Sequence, residues 1–255
     1  MKDSTAELQN LINSAGKSLT IKPGTYWIDA SKGLKLKSNF ALTLNGVTLR
    51  AIPTALEHYR ILDLRKAENV RIEGGCVVGE RNSHKGATGQ WGCGVLIVDA
   101  KNITLLDTAY SDCWGDGVHV WGVDKLTMKR VKCLRNRRNG MSITKGKNIL
   151  VEHCEFSYSK GTRPMDGIDV EPNHGEKPKG VVDGVTVRRC KFVGNGRYGF
   201  QVMSKHGVVR NVRIDGCTFT SNIPIRINVE KGSLLARAAG LLKVYGLFPT
   251  TAVIA

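Results

Sequence analysis

Five side chains in the middle of this 255-residue chain are of the types that move protons: Asp116, His119, Asp166, Asp169 and Glu171. They fall in two related phrases, Asp116-Gly-Val-His119 and Asp166-Gly-Ile-Asp-Val-Glu171. If each phrase is a strand, Asp169 and Glu171 share one face with Cα atoms about 6.6–6.8 Å apart. Like charges at that range raise at least one pKa, as acid and base work requires. Arg137 and Arg138 lie between the two phrases, where a guanidinium could neutralise a carboxylate or phosphate on a substrate. Each residue also has a plainer reading. Asp-Gly is a common corner, a histidine on a surface needs no function, and arginines at a corner are simply solvated.

What positions these residues is a repeat. Gly-apolar-x-apolar recurs at Gly94, Gly117, Gly140, Gly167 and Gly199, with gaps of 23, 23, 27 and 32 residues. A second alternating segment follows each, such as Asn102-Ile-Thr-Leu and Asn148-Ile-Leu-Val. A third short unit carries Cys133, Cys154, Cys190 or Cys217. Three short strands per repeat describe one rung of an all-β, single-stranded, right-handed parallel β-helix. The recurring cysteines then read as stacked inward positions, and Asn136, Asn195 and Asn222 as corners that tolerate left-handed backbone.

Strand alternation turns the second and fourth residues after each glycine outward. One outward column is Leu96, His119, Ser142, Asp169, Gln201 and Arg226. Its neighbour is Val98, Trp121, Thr144, Glu171, Met203 and Asn228. Together they form a stripe with a histidine, a tryptophan platform, acids, amides and an arginine, suited to contact a sugar. His119 lies two rungs from Asp169, and Asp116 two rungs from Asp166, gaps of about 9–10 Å by strand spacing. Carboxyls so separated suit a water-activating inverting pair better than a nucleophile pair. The interruption Pro172–Gly180, with His174, would wall one side of the stripe. A second interruption, containing His84, would wall the other.

The flanks differ from the repeat. Residues 1–18 read as a capping helix, with a capping box at Ser4-Thr-Ala-Glu7 and Leu8, Leu11 and Ile12 at helical spacing. The β-helix is expected over residues 19–231. An apolar tail over 232–255 follows, with Leu234, Leu235, Ala238, Leu241 and Leu242 spaced as a helix.

Lys and Arg number 38 against 22 Asp and Glu, a net charge of +16. Between Trp121 and Arg163 the count is 11 against 3, a concentration that favours a polyanionic partner. No nucleic-acid motif accompanies the charge, so no specific nucleic-acid partner is expected. The seven cysteines are an odd number without CxxC spacing, which argues against a disulfide set or a zinc site. No run is long enough for a membrane span, and no signal peptide precedes Met1-Lys2-Asp3-Ser4.

Glu7-Leu-Gln-Asn-Leu-Ile12 and Pro23-Gly-Thr-Tyr26, followed by the Gly-started rungs, resemble the pectin-lyase-like right-handed parallel β-helix superfamily. Within it the likeness is to phage tail-spikes and related polysaccharide-acting proteins. Gly89-Gln-Trp-Gly92, Trp114-Gly-Asp-Gly117 and Asp166-Gly-Ile-Asp-Val-Glu-Pro-Asn173 are phrases of that group. The resemblance spans roughly residues 4–230. It implies a protein that binds and degrades an acidic polysaccharide as a hydrolase or a lyase. The alternatives are a uronate C5-epimerase and a non-catalytic adhesin or spike module. It further implies no organic cofactor, Ca²⁺ if the protein is a lyase, a homotrimer, and an extracellular or virion-associated place. On this reading Asp169, Glu171, Asp166, Asp116 and His119 are catalytic candidates. Trp121, Arg137, Arg138, Gln201, Arg226, Asn228 and His174 are candidates for substrate contact. The polygalacturonase-type glycosidases share Asp166-Gly-Ile-Asp169, His206-Gly207 and Arg226-Ile-Asn228. The chain departs from them by lacking an Asp-Asp pair in Arg197-Tyr-Gly-Phe-Gln201, and by Asn228 in place of a lysine.

Overall fold

In the computed structural model, residues 1–228 are described, together with the backbone of Leu242–Tyr245 and Val253–Ile254. Among the described residues, apart from the N-terminal helix Thr5–Ser14 and one 3₁₀ turn, the regular elements are strands, paired in parallel from rung to rung. The inward columns are apolar from end to end. Val95, Val118, Met141, Ile168, Phe200 and Ile225 are paired in register, and all are buried. Beside them run Ile97, Val120, Ile143, Val170 and Val202. Period-2 alternation places their partners outside. The outward column Leu96, His119, Ser142, Asp169, Gln201 and Arg226 is in register as expected, and Asp63 extends it by one rung.

The second outward column is broken. A bulge pairs Trp121 with Lys145 instead of Thr144, whose hydroxyl turns to donate to the Val120 carbonyl at 3.1 Å. Glu171 lies just past the strand Ile168–Val170, its N–H on the Ile143 carbonyl at 3.0 Å. The irregularity arises where the chain leaves the rung for the Pro172–Gly180 loop.

The rung glycines are needed for space. A Cβ on Gly94, Gly117, Gly140 or Gly167 would meet the carbonyl of the next rung's glycine at 2.7, 2.8, 2.5 and 2.5 Å. Left-handed corners fall instead on Asn39, Asn69 and Asn102 among others. Their amides form a ladder, Asn69 donating to Asn39 and Asn102 to Asn69, both at 2.8 Å. Asn136 and Asn195, expected at such corners, are buried and tie rungs together. Asn136 Oδ1 accepts the Cys113 N–H at 3.0 Å, and Asn195 Oδ1 that of Ser159 at 3.0 Å. The cysteine column is shifted as well. Cys154, Cys190 and Cys217 stack beneath one another, each sulfur accepting the preceding rung's N–H, whereas Cys133 pairs in the column of Phe156, Phe192 and Phe219.

The N-terminal helix caps the open end by burying Leu8 and Ile12, while Leu11 is 44% exposed. Its start is held by Asp3, whose Oδ1 accepts the Thr5 N–H at 2.8 Å, and Ser4 makes no side-chain cap. Gln9 imitates a strand: its amide accepts from the Lys35 N–H and donates to the Lys35 carbonyl, blunting the edge strand Leu34–Lys35. The tail helix expected at Leu234, Leu235, Ala238 and Leu241 lies outside the described residues. Leu242 starts a strand paired with Val212–Asp215, and Val253–Ile254 pairs with Arg226–Ile227.

Gly140→Ala places a methyl group 2.5 Å from the Gly167 carbonyl and 2.8 Å from the Phe156 ring. Overpacking of this kind costs about 1–3 kcal/mol. Urea unfolding should show that loss, and an unchanged midpoint would refute the close-approach explanation.

Candidate functional site

Asp116, Asn139, Asp166 and Tyr198 each stand immediately before a rung glycine, one above another. The first three use one side-chain oxygen to bind the next rung. Asp116 Oδ1 accepts the Asn139 N–H at 3.1 Å, Asn139 Oδ1 that of Asp166 at 2.9 Å, and Asp166 Oδ1 that of Tyr198 at 2.9 Å. This is the turn role the Asp-Gly pairs offered, extended into a ladder. The remaining atoms of the same side chains build the site.

Asp116 Oδ2 meets His119 Nδ1 at 2.9 Å and Arg138 Nη1 at 2.9 Å. Arg138 Nη1 also donates to Ser142 Oγ at 3.0 Å, as does Asn139 Nδ2 at 3.0 Å. Gln201 Nε2 donates to Asp169 Oδ1 at 2.9 Å, and Asn139 Nδ2 reaches Asp169 Oδ2 at 3.4 Å. Burial opposes ionisation of Asp116, yet Arg138 and the His119 bond outweigh it and hold the carboxyl below its ordinary range. An ionised Asp116 can only accept, so His119 Nδ1 carries the hydrogen. When the ring is neutral, Nε2 keeps its lone pair. The other carboxyls behave oppositely. Burial pushes Asp169 up to about 6, with Arg138 restraining the rise and Glu171 adding to it. Burial and the Asp169 charge push Asp166 up to about 8, and burial raises Glu171.

His119 and Asp116 open on a cleft of about 310 Å³, also lined by His58, Tyr59, Arg60, Trp91, Cys93, Leu96, Trp121 and Asn173. Trp121 is 43% exposed, and its indole N–H donates to Glu176 Oε1 at 3.1 Å. Lys145 reaches the same oxygen at 3.4 Å. Among the described residues, no group of three His, Cys, Asp or Glu side chains is placed to share a metal ion. No helix among them is long and apolar enough to cross a membrane.

The expected site residues therefore divide. Asp116, His119 and Trp121 line the cleft together. Asp166, Asp169 and Gln201 lie in the buried network behind it, with Glu171 half-buried at its edge. The open acid–base pair expected of Asp169 and Glu171 is not what the fold builds: Asp169 is 2% exposed and both of its oxygens have partners. Arg138 is engaged with Asp116. Arg137 lies 3.7 Å over the Trp114 ring and donates to the Gly89 carbonyl at 2.7 Å. His174 is exposed and edge-on to His206, with ring centroids 4.7 Å apart. Arg226 stacks 5.4 Å over Tyr198, and the Asn228 carbonyl accepts the Ser204 N–H at 3.1 Å. His84, expected in a cleft wall, is buried against Trp114 at 3.8 Å with Nδ1 on Glu80 at 2.9 Å.

Asn139, Arg60, Trp91, His58 and Asn173 were not singled out by their types. Asn139 could have been, since it shares the pre-glycine position with Asp116 and Asp166. Arg60 and His58 come from a strand with no leading glycine, so the repeat does not mark them. The basic concentration of the middle rungs is also less free than its count suggests. Lys129, Arg130, Arg135, Arg138, Lys145 and Lys147 all pair with acids, most of them on neighbouring rungs.

Fold and cleft together define a parallel β-helix carrying a histidine–carboxylate pair beside exposed tryptophan. Residues 33–239 match the family described as right-handed beta helix region, and the chain belongs to that family. It is 30% identical over 234 residues to the uncharacterized protein YclG of Bacillus subtilis, covering 76% of this chain and 39% of YclG. It is 27% identical over 190 residues to YorA, an uncharacterized protein of the SPbeta prophage of the same organism, covering 65% and 32%. The chain thus spans well under half the length of either relative. Among solved structures it resembles a tailspike protein of an Acinetobacter baumannii bacteriophage, a capsular polysaccharide depolymerase. The TM-score is 0.61 at 15% identity, over 91% of this chain and 45% of that one. At that identity the likeness speaks for the fold alone.

Asp166 supplies a test of the buried network. Its carboxyl holds a proton up to about pH 8 in the folded chain but releases it near the ordinary value of 3.8 when unfolded. The native state is therefore progressively disfavoured as pH rises from about 4 to about 8, with Asp169 adding to the lower part of that window. Asp166→Asn keeps an acceptor for the Tyr198 N–H and removes the titration. Urea unfolding should show a flatter stability profile across the window, with a gain on the order of 1–3 kcal/mol at its upper end. An unaltered slope would contradict the assignment.

Proposed function

We propose that the protein binds an acidic polysaccharide in the His119 cleft and cleaves it by β-elimination. The observation that carries this reading is an imidazole held through Nδ1 by a buried, ionised carboxylate, in a cleft with an exposed tryptophan. In the step envisaged, His119 Nε2 takes the C5 proton beside the uronate carboxylate. The electron pair left behind forms the C4=C5 double bond as the C4–O bond breaks, and the departing oxygen takes a proton from solvent. Asp116 orients the ring and stabilises the imidazolium, while Arg138 keeps Asp116 ionised. Arg60, which lines the same cleft and is held through Nε by Asp63 at 3.2 Å, neutralises the substrate carboxylate through its outer nitrogens as negative charge develops. Trp121 offers a sugar a flat apolar face.

Hydrolysis through Asp169 and Glu171 is less well supported, because Asp169 is shut away from the cleft. Epimerisation begins with the same proton abstraction and ends with a proton returned to the opposite face of C5. Similarity to a prophage-derived protein, and the fold shared with a phage tailspike, support a place on a virion.

His119→Ala should lower turnover about 10²–10⁴-fold while leaving the melting temperature nearly unchanged. The readout is the ultraviolet absorbance of the unsaturated uronate, measured on a panel of acidic glycans. New reducing ends without that absorbance would replace elimination by hydrolysis. Binding with neither signal would favour an epimerase or an adhesin, and uptake of solvent deuterium at C5 separates those two.

A further inference from the structure

We infer that the glycan crosses the cleft with sugars seated on both sides of His119, so that internal bonds of a polymer, and not chain ends, are the substrate. The inference rests on the reading of this cleft as a glycan site, but not on which reaction occurs there. Its basis is a second aromatic platform. Trp91 is 42% exposed and lines the cleft together with Trp121, which is 43% exposed. Two exposed aromatic rings gathered in one cleft with polar groups between them make the kind of apolar surface that marks a ligand-binding groove.

Register places the two rings on opposite sides of the base. Leu96 pairs with His119 and Val98 with Trp121, while Trp91 lies five residues before Leu96 on the same strand, opposite His58. At strand spacing, Trp91 is at most about 17 Å to one side of His119, and Trp121 about 7 Å to the other. A site built for chain ends closes one side of the reacting sugar. Here each side carries an exposed ring.

Both rings are also braced. His58 stacks on Trp91 with centroids 4.5 Å apart and planes 12° from parallel, covering one face and leaving the other for a ligand. Trp121 is held by its indole bond to Glu176, which Lys145 meets in turn. Rings already fixed before binding lose little freedom when a sugar lands on them, so the platforms hold their spacing for an extended chain. Glu176 sits on the same loop as Asn173, which lines the cleft. The loop and the Trp121 platform therefore form one unit.

The test measures binding separately from turnover. Uronate oligosaccharides of two to eight sugars, from polygalacturonate, alginate and hyaluronan, are titrated calorimetrically against the protein and against His119→Ala. Affinity should keep rising beyond the disaccharide, by tenfold or more by the hexasaccharide. Trp91→Ala and Trp121→Ala should each lose at least tenfold for the hexasaccharide, with circular dichroism unchanged. Where the polymer is cut, early products should be long fragments. Affinity that levels off at the disaccharide, a Trp91→Ala variant that binds the hexasaccharide like the parent, or no binding to any member of the panel would each overturn the inference. Length-dependent binding without an unsaturated product would sustain it while removing β-elimination.

Discussion

The spacing between successive rungs is the constraint on which the rest of the structure depends. Backbone hydrogen bonds such as Val118 N–H to the Gly140 carbonyl, at 3.1 Å, hold neighbouring strands near the 4.8 Å typical of a sheet. At the strand entrances the backbones come too close for any side chain, and glycine follows there on every rung from Gly94 to Gly199. The residue just before the glycine is thereby set directly over its counterparts. Only a short side chain with an acceptor can satisfy the N–H of the next rung, which is why Asp116, Asn139 and Asp166 occupy those places. Each still has an atom left over, and the site is assembled from the remainders.

Three buried acids in one small volume would repel one another if all were ionised, and the fold separates their fates. Arg138 places its guanidinium 2.9 Å from Asp116 and draws the negative charge there. Among the described residues Asp166 and Asp169 have no such direct ion pair; they hold their protons more tightly, bridged by amides and backbone instead. One anion is thus kept beside the His119 imidazole at the cleft. The imidazole of this pair has its orientation already fixed, because its carboxylate partner cannot turn away without breaking the ladder below it.

Charge at the scale of the whole chain plays a smaller part than its sum implies. Lysines and arginines of the middle rungs alternate with acids along the stacked columns, as in Asp124 with Lys147 and Asp183 with Arg210. Exposed pairs of this kind add little stability. Their consequence is that the surface field is broken up locally, and Arg60 in the cleft is likewise paired, with Asp63 at 3.2 Å.

The repeat, the hand of the winding, the inward columns and the outward column from Leu96 to Arg226 were all legible in the residues, because strand alternation and a rung period leave few alternatives. Asp116, His119 and Trp121 were legible for the same reason. Not legible was which outward residues remain open to solvent. That depends on contacts between side chains far apart in sequence: Gln201 on Asp169, Arg138 reaching back 22 residues to Asp116, and Glu176 reaching 55 to Trp121. A bulge opposite Trp121 removed Thr144 from its column, and a strand without a leading glycine brought His58 and Arg60 to the cleft unseen. Local pattern determined the β-helix and the face on which the candidate site lies. Tertiary packing decided which carboxyl is ionised, which are covered, and that a histidine, and not an acid pair, stands at the opening.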